Sequence, residues 1–146
     1  MMQGKRLLAV MGALGLIALC ACAQGKNPAA PAEESFSIVF FIQTKEPVQG
    51  IHVEYLLGET PCGGGTVQNA DGSPIAVGDT VSWGFIPDDF PEGGALTEFT
   101  FYCAVILPDE TEIPAEGIIR ISAEFGRSYS VTLSGSATAG YALALE

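Results

Sequence analysis

The side chains in this 146-residue chain that could do chemistry are few and scattered. His52 is the one histidine, and an imidazole is the group best placed to move a proton near neutral pH. It precedes Glu54 by two positions, yet no Ser or Cys nucleophile motif accompanies it. Its alternation with Ile51 and Val53 puts it on the solvated face of a strand. Asp88, Asp89 and Glu92 form one acidic loop, and Asp109, Glu110, Glu112 and Glu116 form another. A hard cation such as Ca2+ takes roughly six to eight oxygens from converging loops. Calcium binding therefore needs both loops at one end of the fold, and a glycosidase pair would need a cleft between the same carboxylates. Gly63-Gly64-Gly65 lacks the Gly-Lys-Ser/Thr ending of a phosphate loop. The sequence thus assigns no catalytic residue, no metal site and no cofactor. Trp83, Phe85, Phe90 and Tyr102 could line a sugar-binding face, although Trp83 alternates with Val81 and Phe85 and reads as core.

The strongest signal lies at the N-terminus. Residues 1–22 read MMQGKRLLAVMGALGLIALCAC. Lys5 and Arg6 supply a positive start, and Leu7 to Leu19 is an apolar run of 13 residues. That is short for a spanning helix, which needs about 20 residues, and suits the apolar region of a secretory signal. The run ends Leu19-Cys20-Ala21-Cys22, which resembles the lipobox of bacterial lipoproteins. Leu19, Ala21 and Cys22 fill its aliphatic, small and lipid-accepting places, with Cys20 at the tolerant position. The resemblance implies diacylglyceryl transfer to the Cys22 sulfur, cleavage before Cys22 and attachment to the membrane, the outer one where the cell has two. Two acyl chains on one cysteine satisfy the requirement of stable anchoring.

Residues 23–35 contain Pro28 and Pro31 and no large apolar side chain, the composition of a solvated tether. From Phe36 to the end at 146 the pattern turns to short β-type runs. Seven strands are expected, at Phe36–Gln43, Ile51–Leu57, Thr80–Ile86, Thr97–Ile106, Ile119–Ala123, Tyr129–Leu133 and Tyr141–Leu145, most alternating with period two. The connectors carry Pro, Gly, Asn or Asp. One buried face per strand predicts a single small antiparallel β-sandwich, immunoglobulin-like or transthyretin-like, with a small barrel as the alternative. Gly65 to Ile75, followed by Gly78 and Val81, is similar to the opening hairpin of carboxypeptidase-regulatory-like and prealbumin-type modules. That resemblance implies a sandwich and no activity.

Outside the cytoplasm, Cys62 and Cys103 remain as an even pair, and a disulfide is expected. It would close 40 intervening residues and contribute roughly 4 kcal/mol. No Cys-x-x-Cys spacing points instead to redox or metal chemistry. The net charge is −11, and −13 once Lys5 and Arg6 leave with the signal. So acidic a surface repels nucleic acid. The expectation is a lipid-anchored, non-catalytic interaction module with a protein partner. The alternatives are a glycan- or calcium-binding envelope module and, last, a small hydrolase using acidic loop residues.

Overall fold

A computed structural model describes residues 34–146. The signal segment, Cys22 and all but the last two residues of the tether lie outside them. The chain from Phe36 is all-β, as expected. Its strands are β1 (Phe36–Thr44), β2 (Gly50–Leu57), β3 (Thr60–Val67), β4 (Thr80–Phe85), β5 (Phe99–Ile106), β6 (Glu112–Glu116), β7 (Ile119–Ile121), β8 (Ser128–Ser136) and β9 (Gly140–Leu145). These nine strands, rather than seven, form one continuous sheet in the order β3-β2-β5-β6-β9-β8-β1-β4, with β7 on the remaining part of β5. The sheet curls back so that its terminal strands, β3 and β4, come close without pairing.

Both additional strands lack the alternation that marks the others. β3 is Thr-Pro-Cys-Gly-Gly-Gly-Thr-Val and pairs only with β2. β6 contains Pro114, and its location explains why a proline is tolerated there. Residues 112–114 pair with β5, whereas Ala115 and Glu116 pair with β9. The position without a backbone N–H falls where one ladder ends and the next begins. Two pairings are parallel, β1 with β8 and β6 with β9, so the sheet is mixed rather than purely antiparallel.

Alternating side chains fill the interior. Phe36, Ile38, Phe40 and Ile42 of β1 face Ile51, Val53, Phe99, Phe101 and Val105, all at or below 1% exposure. Phe36 stands at the centre of an aromatic cluster, stacked on Phe85 at 4.9 Å and edge-on to Phe99 at 5.1 Å. Burying rings of this size contributes roughly 1.5–3 kcal/mol each. At another part of the core, the Glu46 carboxylate accepts hydrogen bonds from the Ala137 N–H at 2.6 Å and the buried Tyr141 hydroxyl at 3.2 Å. These bonds tie the β1–β2 connection to the β8–β9 hairpin.

Within the Gly65 to Ile75 stretch likened to a hairpin, Asp71-Gly72 turns tightly, with the Gly72 N–H bonded to the Asn69 carbonyl at 3.0 Å. It is not the tip of a hairpin, because β3 and β4 on either side of it occupy opposite ends of the sheet order. The chain crosses there from one half of the sheet to the other. Ile75 is pinned on the way by reciprocal backbone bonds to Val48.

Candidate functional site

The chemistry-bearing side chains gather on the outer face of β3, β2, β5 and β7. His52 and Glu54 point outward from β2, as their alternation predicts, opposite Thr66 and Gly64 on β3 and Ala104 and Tyr102 on β5. Thr66, His52, Glu54 and Tyr102 form one row. His52 Nδ1 lies 3.4 Å from Thr66 Oγ1, and Nε2 lies 3.5 Å from Glu54 Oε1. The Tyr102 hydroxyl donates to Glu54 Oε2. This bond holds the Glu54 carboxyl below the usual carboxylate range and raises the Tyr102 phenol. The order hydroxyl, imidazole, carboxylate is that of a proton relay. Its distances, 3.4 and 3.5 Å, are longer than the roughly 2.6–3.2 Å over which a general base takes a proton.

Sequence alone did not reveal a groove of about 630 Å3 next to this row. Leu56 and Thr100 are cross-strand neighbours in its floor, and Thr100 faces Arg120 of β7. The Gly58–Glu59 turn and the Thr97–Glu98 segment form a wall, held together by the Gly58 N–H bonded to the Glu98 carbonyl at 3.0 Å. Exposed Tyr102 and Ile118 complete it. Arg120, one of three basic residues among those described, makes no ion pair there; the pairs among the described residues are His52–Glu54 and Arg127–Glu124. The signal that could have found the groove is Ile118-Ile119-Arg120-Ile121, where an exposed Ile118 breaks the alternation.

The two acidic loops do not converge. Glu112 and Glu116 lie on β6 rather than in a loop, while Asp88, Asp89 and Glu92 precede the first residue of β5 and Asp109 and Glu110 follow its last, roughly 26 Å apart along the strand. Their carboxylates serve the local backbone. Asp89 Oδ2 accepts from the Ile86 N–H at 2.8 Å, and Asp109 Oδ1 from the Thr111 N–H at 3.0 Å. The shared calcium site and the paired glycosidase carboxylates therefore have no common location. Among the described residues, no three His, Cys, Asp or Glu side chains are placed to share a cation.

The expected disulfide is replaced by two free thiols, Cys62 and Cys103. The register explains this. Cys103 on β5 is paired with Val53 of β2, while Cys62 lies on β3 at the irregularity opposite Tyr55 and Leu56. One full strand separates them, roughly 10 Å at ordinary strand spacing, beyond the reach of a disulfide. Cys103 faces the core at 3% exposure, and burial pushes its thiol up to about 12. The aromatics are also divided. Trp83, Phe85 and Phe90 join the interior cluster, with Trp83 stacked on Phe85 at 5.6 Å. Tyr102 alone of the four stands on the outer face.

No protein-family model matches the chain, and no curated protein matches it in sequence. An NMR structure of a protein from Eubacterium rectale is similar over 81% of this chain and 94% of that one, with 12% sequence identity and a TM-score of 0.43.

Proposed function

We propose that this protein is a lipid-anchored, extracytoplasmic, non-catalytic interaction module that docks a partner protein. The observation that carries this reading is the edge of the sheet at β3, which pairs with β2 alone and which β4 approaches without pairing, Trp83 packing over Gly65. Edge strands offer unpaired backbone donors and acceptors, and proteins usually guard them with charge, proline or a bulge. In β3, Pro61 and the irregularity opposite Tyr55 and Leu56 guard the start, whereas Gly63, Gly64 and Thr66 beyond them are exposed and no residue is charged. An extended segment of a partner can add to such an edge through main-chain hydrogen bonds. The anchor rests on the apolar run and the Leu19-Cys20-Ala21-Cys22 sequence. The finer likeness to an immunoglobulin- or transthyretin-like sandwich belongs to the same reading. It is supported by how little joins the two halves of the sheet on the β6 side, Ala115 with Tyr141 and Glu116 with Ala142.

Two experiments test it. Cys22→Ala is expected to move the protein from the membrane to the soluble fraction, and continued membrane association of that variant would remove the anchor. A photo-reactive amino acid at Thr66 is expected to cross-link one protein in cells, with no adduct from the same probe at Ala144 on β9. Equal adducts from both positions, or none from either, would exclude docking at β3.

A further inference from the structure

We propose that the groove beside Tyr102 is a subsite for one sugar ring of an uncharged glycan. The site uses the outer face of β2, β5 and β7 and is independent of the β3 edge.

The chemistry of the groove selects its ligand. Tyr102 is 40% exposed and Ile118 61%, so an aromatic ring and a branched aliphatic chain meet water at the same hollow. The two line one hollow together rather than standing apart on the surface. Its volume falls within the range of small-ligand sites. The polar groups are of both kinds. Arg120 and Thr97 can donate hydrogen bonds to a ligand, and Glu59 and Glu98 can accept them. An anionic ligand would meet those two carboxylates on a domain with 16 acidic and three basic residues among those described. A purely cationic ligand would leave the guanidinium of Arg120, which makes no ion pair, without an acceptor. A neutral molecule that carries many hydroxyls around a C–H face satisfies every group, and a pyranose is such a molecule. Its vicinal hydroxyls match the paired N–H groups of a guanidinium and the paired oxygens of a carboxylate. Its C–H face matches an aromatic ring.

The ring is also held in place before any ligand arrives. The Tyr102 hydroxyl is bonded to Glu54, which His52 flanks in turn. A platform fixed in this way loses less freedom on binding than a swinging side chain. The row of side chains on the outer face thus acts as the support of the groove.

The test is a titration of the purified full chain with cellohexaose, maltohexaose and mannohexaose, each to about 10 mM, enough to reveal a millimolar complex. Backbone amide shifts report the location. At least one hexasaccharide is expected to shift Thr100, Tyr102 and Arg120. Tyr102→Phe keeps the ring but loses its bond to Glu54 and is expected to weaken binding only a little, whereas Tyr102→Ala weakens it about tenfold. Arg120→Ala gives a second variant with the same readout, should Tyr102→Ala fail to fold. No shift with any of the three sugars, shifts confined to other surfaces, or undiminished binding in both alanine variants would each overturn the proposal.

Discussion

Trp83 lies so close over Gly65 that a β-carbon at position 65 would stand 2.8 Å from its Cη2. The two residues sit on the terminal strands of the sheet, and the indole bridges the gap between them. Gly65→Ala is expected to force the ring aside and to cost about 1–3 kcal/mol, the usual effect of overpacking. Gly84→Ala on the same β4 strand is the control. Its nearest neighbour would be the Phe36 carbonyl oxygen at 4.0 Å, so it is expected to be neutral or slightly stabilising. Urea unfolding followed by the emission of the one tryptophan separates the two. Equal midpoints would show that the indole moves aside freely.

The thiols should respond unequally to an aromatic disulfide reagent. Native protein is expected to release one equivalent quickly, from half-buried Cys62, while Cys103 stays silent. Guanidinium should expose the second, and Cys62→Ser should abolish the fast phase alone. In each assay only the two domain cysteines are counted, with Cys20 and Cys22 both replaced by Ala. Absence of any thiol in the denatured, unreduced protein would restore the disulfide that the sequence suggests.

Stability should fall in alkali. Burial keeps the Cys103 thiol and the Tyr55 and Tyr141 phenols protonated up to about 12 in the folded protein, helped by Asp89 at Tyr55 and Glu46 at Tyr141. In the unfolded chain the same groups lose their protons near about 8.5 and 10. The folded state then binds more protons, so unfolding becomes easier as pH rises. The contribution is complete below about pH 8.5 and is lost as the pH passes through about 12. Cys103→Ala should flatten the first part of that slope, read as urea midpoints from pH 8 to 12 at intervals of about 0.5. A slope unchanged by the substitution would place the linkage elsewhere.

Much of the sheet was legible because half-buried strands write their burial as alternation. Phe99, Phe101, Cys103 and Val105 point inward as their spacing predicts, and His52 and Glu54 point outward. β3 and β6 escaped for opposite reasons. In β3, glycines at 63 and 65 leave space that Tyr55 and Trp83 occupy from neighbouring strands, so the packing signal belongs to residues far away in sequence. In β6, Pro114 reads as a break, although the strand merely changes partner there. The disulfide expectation failed on register. An even number of cysteines says nothing about the strand that separates them. The groove was hidden because Glu59, Glu98 and Arg120 come together only through the pairing of β5 with β2 and β7.

β1 enters the domain at Phe36 between β4 and β8, with six residue pairs on one side and eight on the other. Ladder bonds stand roughly across the strand axis, so a pull on the chain ahead of Phe36, directed along β1, loads both rows sideways and together. The strand cannot be unzipped one bond at a time from that end. Were the domain held by its N-terminal side, as proposed above, tension on it would be borne by both ladders at once.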